Sequence, residues 1–418
     1  MKNVIRNVLS HQSDYTFKAS NEFNIDPSKT YGLYLHIPFC ENNCPYCPYY
    51  KTTYDKTKIT PFLKALDNEI ILSKKLLKEN LLSSLYIGGG TPTLLDEQLI
   101  DIIKTIQHHF TIKEEIAIET SPADLNNKKL SMLEKIGVNS LSIGIQSLNE
   151  ESLKTIGRTY TTKTARQSLE KLTNTNFETV NIDMMFALPK QSQNDLKDDL
   201  KDLLAYQPHQ ITYYPLFTFP YTTVGRYKKL NKTKMPTFST RRKMYTLICK
   251  TLKKAGYNQS SVWSFQKTQT KKFSSVTRDH YIGLGPSAAT YSGQQFYFNT
   301  FNFTNYLKTT TKKPVILKMD VNPYMEKLFW LYWRFYETTI PKDSYKTLFD
   351  STLEKDFASI LLFLRIFRCI EKEDKNQIQL NFRGIFYTHL IQNIYALDYI
   401  NKIWAQCQND SLPEKISL

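Results

Sequence analysis

Between residues 31 and 225, short apolar runs alternate six times with segments of helical periodicity, and few architectures accept such an alternation. The runs are 31–37 (YGLYLHI), 84–87 (SLYI), 116–118, 140–143, 180–185 and 210–214. The segments 61–77, 97–108, 128–136, 152–156, 164–172 and 196–206 carry apolar residues at three- and four-residue spacing, as an amphipathic helix does. Strands that alternate with helices pair in parallel through right-handed crossovers. Short, mostly apolar strands of this kind are covered on both faces. The expected fold is therefore α/β on one parallel sheet, either open and doubly wound or an incomplete barrel. Periodicity does not choose between them.

The rest of the chain reads differently. Residues 1–30 form an N-terminal segment and 31–225 the sheet-forming core. Residues 226–310 form an accessory region expected to close that core, with a helix at 240–255 and the stretch HYIGLGPSAATYSGQQF. From 311 to 418 the pattern is mainly helical: an aromatic helix at 325–337, an apolar one at 357–370, a strand at 377–381 and a helix at 385–404. This reads as a small helical domain of winged-helix size, with the aromatic residues of 325–337 expected in its core. No run approaches the ~18 apolar residues of a membrane span. The segment MKNVIRNVLSHQSDYTF has no apolar signal-peptide core, so a cytoplasmic protein is expected. The formal net charge is +16, but the lysines are scattered as on a solvated surface. Nucleic acid is not an expected partner, although the tracts 228–234 and 308–313 leave room for an anionic one.

Three of the six cysteines are clustered, in YLHIPFCENNCPYCPYYKT directly after the first apolar run. Cys40, Cys44 and Cys47 have the spacing Cys-x3-Cys-x2-Cys, whereas Cys249, Cys369 and Cys407 stand alone and read as core fillers. A disulfide framework would be spread along a small secreted chain. Three thiolates on one short loop can instead bind three irons of a cubane cluster, leaving a fourth iron open to a small molecule. Phe39, Tyr46 and Tyr49 would shield such a cluster from water. The alternative, zinc, usually takes four protein ligands. No second Cys-x2-Cys half is present, and His36, the one candidate for a fourth ligand, sits inside the strand pattern. An Fe–S cluster is the favoured reading.

With that spacing the chain resembles the radical SAM superfamily, in the branch of oxygen-independent coproporphyrinogen III oxidase and the haem chaperone HemW. The resemblance covers about residues 31–300 and rests on HIPFC, GGGTPT (88–93), IETSP (118–122), SIGIQSL (142–148), NIDMMFALPKQS (181–192) and IGLGPSA (282–288), in that order. It implies a partial (β/α)6 barrel with a small, mainly helical C-terminal domain. It also implies a [4Fe–4S] cluster on Cys40, Cys44 and Cys47, with S-adenosylmethionine (SAM) bound to the open iron. Tyr34, Gly89 and Glu119 match positions that hold the cluster-bound SAM. Tyr46, Gly90, Thr91, Gln146, Arg158 and Asp183 match positions that hold a second SAM, as do Phe217 and Ala289. Glu119, Gln146 and Asp183 are each expected at the C-terminal end of a strand, where ligand sites of parallel α/β folds gather. The implied chemistry is reductive cleavage of SAM to methionine and a 5′-deoxyadenosyl radical, which abstracts hydrogen from a substrate.

The chain departs from the family's pattern in three places. Tyr49 stands where the oxidase has a fourth cysteine. The segment ahead of the first strand is shorter than the oxidase's arm. The His-Asn-x-x-Tyr-Trp pattern of HemW is absent from KFSSVTRDHYIGLG, which offers only His280 and Tyr281. Three functions fit the resemblance. One is a haem-pathway enzyme acting on porphyrinogen or haem, ring opening included. The second is a methylating or cyclopropanating enzyme that uses two SAM on a heteroaromatic substrate. The third is a haem-binding chaperone. No catalytic residue is assigned. Partners implied are a small molecule, possibly a tetrapyrrole, and an electron donor such as flavodoxin or ferredoxin.

Overall fold

Each apolar run is a strand, and the six strands pair side by side in parallel. They are β1 (Tyr31–Ile37), β2 (Leu81–Gly89), β3 (Thr111–Thr120), β4 (Ser140–Gln146), β5 (Thr179–Phe186) and β6 (Gln210–Pro215). The structure is a computed structural model that describes residues 15–230, 232–274, 279–395, 401–410 and 412–418. The connecting helices are α1 (Lys56–Lys74), α2 (Glu97–His109), α3 (Asn127–Lys135), α4 (Glu150–Thr155), α5 (Thr162–Leu172) and α6 (Gln193–Ala205). Their starts are set by side chains that accept from free N–H groups of the first turn. Asn126, Asn149 and Thr161 do so, and Ser192 with Asp195 forms a reciprocal capping box. Helix α1 begins at Lys56, earlier than the proline at 61 suggested, because Asp55 caps it and Pro61 is absorbed inside.

Alternation along the strands decides what each face does. Leu33, Leu35, Leu85, Ile87, Ile118, Leu141, Ile143, Ile182 and Ile211 point to the helices and form the main core. The intervening residues Tyr86, Glu119, Ser142, Asp183, Thr212 and Tyr214 line an internal cavity. A fully buried aliphatic side chain contributes about 1.5–3 kcal/mol, so the outer face carries the stability and leaves the inner face free for chemistry. Glu119 and Gln146 stand at strand ends as expected. Asp183 does not: β5 runs on to Phe186 because Met184, Met185 and Phe186 pair with Tyr213, Tyr214 and Pro215, which sets Asp183 deeper in the barrel.

Further strands extend both edges. Ser264–Lys267 joins β6 in antiparallel, and Tyr281–Leu284 joins β1 in parallel. Beyond the latter lie Ala289–Tyr291, Gln295–Asn299, Val315–Asp320, Thr16–Ala19 and Lys415–Ser417. The strand order is linear, with no pairing between its two ends, so the barrel is partial. Near the strands' N-terminal ends, Phe273 packs against Tyr86 and its backbone is held by both ends of the Gln210 amide. A buried ion pair ties α1 to this extension. The Glu69 carboxylate meets Lys313 Nζ at 3.2 Å and accepts from Gly285 N, Asn299 Nδ2 and Tyr306 Oη.

The C-terminal region is mainly helical around a three-stranded sheet of Thr339–Pro341, Gln377–Leu380 and Ile370–Glu373. The expected helix at 325–337 is Pro323–Tyr336. The expected helix at 385–404 is two helices, Phe382–Tyr395 and Asn401–Asn409, and residues 396–400 lie outside the described set. No helix among the described residues is long and apolar enough to cross a membrane.

Candidate cofactor and substrate site

The cysteine loop leaves β1 at the strand's C-terminal end and is closed at its base by a short ladder in which Phe39 and Cys40 pair with Thr52 and Thr53. It turns on a Cys47 N–H to Cys44 carbonyl bond of 3.2 Å, and Lys51 Nζ donates to the Cys47 carbonyl at 3.0 Å. The glycine run lies directly against it. Gly90 N donates to the Ile37 carbonyl and Thr91 N to the Phe39 carbonyl. A Cβ at Gly90 would sit 2.3 Å from Phe39 O and 3.0 Å from Cys40 Sγ, so only glycine permits this approach. On the other side, Gly157 (φ +72°) abuts Pro45, which fixes the turn carrying Arg158 against the loop. The Arg158 guanidinium lies 5.7 Å from the Tyr46 ring centroid and 5.6 Å from that of Tyr160, and its Nε is buried without a hydrogen-bond partner.

The three clustered thiols are free and line one cavity of about 710 Å³. Burial pushes Cys40 up to about 12, with Cys47 and Cys44 adding to it and Lys51 pulling back; burial likewise raises Cys47. Binding a metal here therefore releases protons. Among the described residues, no group of three or more His, Cys, Asp or Glu converges where one metal ion could sit. Three thiolates on one loop suit a cubane, in which each takes a separate iron. His36 is not a spare ligand. Its Nε2 faces the Tyr50 carbonyl at 2.9 Å and so carries the proton, and its Nδ1 accepts from Tyr34 Oη at 2.8 Å. Burial lowers its pKa to about 4, so the ring is neutral.

Cys40, Cys44, Cys47, Tyr46, Gly89, Gly90, Thr91, Glu119, Gln146, Arg158, Asp183, Phe217 and Ala289 all line this cavity. Tyr34 does not belong to its lining; it packs beside Tyr86 and Phe273, and its hydroxyl is engaged by His36. Glu119 accepts from Tyr86 Oη at 2.5 Å and from Gly89 N at 3.2 Å, and burial raises its pKa. Gln146 sits at a register shift with φ +67°, an uncommon conformation outside glycine that costs of order 1–3 kcal/mol and clusters at functional sites. Asp183 accepts from Ser142 Oγ and Asn181 Nδ2, both at 2.9 Å, and burial raises its pKa to about 7.

Tyr49 is no shield. It is 53% exposed, lines the cavity, and meets Trp404 edge-on at 5.4 Å. Phe39 is fully buried behind the loop, against Phe62 and Phe303. Several lining residues escaped the sequence reading: Tyr86, Lys51, Tyr214, Phe273, Gln392 and Trp404. Of these, only Tyr86 carried a signal, as the inward alternate of Leu85 and Ile87 before the glycine run. The aromatic helix Pro323–Tyr336 was expected in a core. Trp330 and Leu331 are there, but Phe329, Tyr332 and Trp333 line the cavity.

The Radical SAM superfamily matches residues 34–203. A haem chaperone HemW from Lactococcus lactis is 30% identical over 67% of this chain and 74% of its own length. The chain belongs to the radical SAM superfamily. Within it, the chain is of the HemW and coproporphyrinogen oxidase branch. An oxygen-independent coproporphyrinogen III oxidase from Pseudomonas aeruginosa is 26% identical, over 66% of this chain and 64% of that one. Among solved structures, the radical SAM coproporphyrinogen III oxidase HemN of Escherichia coli superposes with a TM-score of 0.75 at 21% identity, covering 93% of this chain and 96% of that one. That likeness speaks for the fold: a partial barrel with a helical C-terminal domain. The cofactors of this superfamily are a [4Fe–4S] cluster and SAM.

Proposed function

We propose that this protein is a radical SAM enzyme that cleaves SAM reductively and turns the resulting radical on a small molecule bound in the same cavity, in haem or porphyrin metabolism or a reaction derived from it. The observation that carries the reading is the convergence on one cavity of three free thiols with Gly89, Glu119, Gln146, Arg158 and Asp183, from six different strands and loops. When bound and reduced, a [4Fe–4S] cluster supplies one electron to the sulfonium of SAM, giving methionine and a 5′-deoxyadenosyl radical. The chain does the positioning. Cys40, Cys44 and Cys47 would hold the cluster. The Glu119 carboxylate, fixed by Tyr86 and Gly89, receives the ammonium of the SAM amino acid, and the glycine run lets the backbone come close to it. Arg158 offers its unpartnered Nε to a carboxylate, which supports a second SAM beside the loop. Asp183, with a pKa near 7, accepts or returns a proton at neutral pH. The walls keep water from a primary carbon radical. Flavodoxin or ferredoxin is the proposed electron donor, in the cytoplasm.

A second reading, haem binding without turnover, is favoured by the HemW relative. Anaerobic reconstitution with iron, sulfide and SAM separates the two. The enzyme reading expects Fe–S absorbance and 5′-deoxyadenosine after reduction, both lost in Cys44→Ala, and a modified product by mass spectrometry. Cluster and haem binding without any 5′-deoxyadenosine would sink it.

A further inference from the structure

Resting on the radical SAM reading, we infer that the substrate end of the cavity takes a neutral, flat aromatic or heteroaromatic molecule bearing an N–H or O–H donor, and refuses a polycarboxylate such as a coproporphyrinogen. The argument begins with charge. The chain carries a formal +16, yet among the described residues the cations lining the cavity are three, Lys51, Arg158 and Lys272, against the acids Glu41, Glu119, Asp124 and Asp183. Two of the three are held by acceptors of the protein, and the third, Arg158, has its Nε left for the second SAM proposed above. Lys51 Nζ donates to the Cys47 carbonyl, and Arg158 stands at the cysteine loop between Tyr46 and Tyr160. Lys272 Nζ is held by Glu337 Oε1 at 2.8 Å. At the adjoining opening, Lys29 pairs with Glu326 at 3.7 Å, and Arg334 with Asp279 at 3.2 Å and Glu337 at 3.0 Å. Lys113, at the same opening, stands outside these pairs, but one lysine does not neutralise four carboxylates; a ligand that carries them would have to break pairs as well, and a desolvated, unpaired carboxylate costs several kcal/mol.

The walls opposite the cysteine loop point the same way. The helix Pro323–Tyr336 turns Leu328, Phe329, Tyr332, Trp333 and Tyr336 into the cavity at three- and four-residue spacing. Phe329 and Trp333 meet edge-on at 5.9 Å, which makes a stiff surface for stacking a flat ring. A neutral polar group without a protein partner faces the same space. Gln392, on the helix Phe382–Tyr395, is only 6% exposed, lines the cavity, and its Oε1 has no hydrogen-bond partner. A buried acceptor without a donor is costly, and a ligand N–H or O–H would satisfy it. Among the described residues the site is thus built mainly from aromatic faces and neutral polar groups, with no cation beyond Arg158 left open.

The test uses two fluorescent probes of one skeleton: N-phenyl-1-naphthylamine, which is neutral and carries an N–H, and 8-anilino-1-naphthalenesulfonate, which adds one negative charge. Both are titrated anaerobically into the cluster-loaded protein with SAM present, and coproporphyrin III is then added as competitor. The neutral probe is expected to saturate and to bind at least about tenfold more tightly than the sulfonate. Trp333→Ala should weaken it about tenfold and Gln392→Leu several-fold, while Trp333→Phe retains most of the affinity. Coproporphyrin III should not displace it. Equal or tighter binding of the sulfonate, displacement by coproporphyrin III, or a neutral probe indifferent to both Trp333→Ala and Gln392→Leu would overturn the proposal. Circular dichroism identifies a variant that has not folded, and Trp333→Phe then carries the comparison. Formation of 5′-deoxyadenosine in the same samples reports separately on the radical SAM reading.

Discussion

Gly90→Ala is the smallest change that tests how the glycine run serves the cysteine loop. The added methyl would lie 2.3 Å from Phe39 O, 2.7 Å from Phe39 C and 3.0 Å from Cys40 Sγ. Ordinary contact begins near 3.4 Å, so the two segments must part by about 1.1 Å. Neither can yield as a flexible side chain would, because the first two atoms met are backbone. Parting stretches the bonds from Gly90 N to Ile37 O (2.8 Å) and from Thr91 N to Phe39 O (2.7 Å). Overpacking of this size costs about 1–3 kcal/mol, and each of the two weakened hydrogen bonds about 1 kcal/mol, so a total of about 3–5 kcal/mol is expected. The displacement falls on Cys40, so cluster loading should suffer beyond the loss of stability. Gly256→Ala is the control: its φ is +86° and a Cβ there meets nothing within 4 Å, so only backbone strain of about 1–2 kcal/mol is added. Urea unfolding of the metal-free proteins measures the first effect, and iron content with Fe–S absorbance after anaerobic reconstitution measures the second. If Gly90→Ala unfolds with wild-type stability and loads a full complement of iron, the close approach does not matter and the reasoning fails.

Three other substitutions probe the surroundings. Lys313→Met strands the Glu69 carboxylate in the core and should cost about 3–5 kcal/mol, with part recovered when Glu69→Gln is added; two purely additive losses in urea unfolding would refute the coupling. Glu119→Gln turns an amide N–H toward either Tyr86 Oη or Gly89 N, and should weaken SAM binding at least about tenfold by equilibrium dialysis; unchanged affinity would remove Glu119 from the site. Asp183 has a folded pKa raised from 3.8 to about 7, chiefly by burial, so the folded state holds the extra proton between those values. The native protein should then lose stability as pH rises from about 4 to 7 and level off above, by at most about 4 kcal/mol, whereas Asp183→Asn should lack this slope. Parallel pH profiles of the two in the absence of SAM would show that Asp183 titrates normally.

What was legible in the sequence follows from how locally each feature is encoded. The strands β1 to β6 could be read because their outer faces alternate in a period that survives in ten residues or fewer. Cys40, Cys44, Cys47 and the glycine run could be read because each is a contiguous motif. Their meeting is less local: it depends on Gly90 tolerating a backbone at 2.3 Å, which no single motif states. Asp183 was set one strand end too high because the pairing of β5 with β6 continues three residues beyond it, and a partner strand's length is not written in the strand itself.

The substrate end was not legible, and for a reason of the same kind. Its walls come from Phe17, Phe273, Trp333, Gln392 and Trp404, five segments with no common motif and no shared period. In the helix Pro323–Tyr336, Trp330 is buried against Tyr345 while Trp333, one turn on, faces the cavity. A helix with a core on one side and a ligand on the other shows the same aromatic periodicity as one packed on both. Only the charge count breaks the degeneracy. A chain of +16 whose described residues place three cations on this aromatic cavity, two of them held by the protein's own acceptors and the third at the cysteine loop, carries most of its positive charge on other surfaces, which favours the neutral, stacked ligand proposed above. The cluster site is therefore written in the cysteine loop, whereas the choice of ligand is written in the side chains that the fold brings to face that loop.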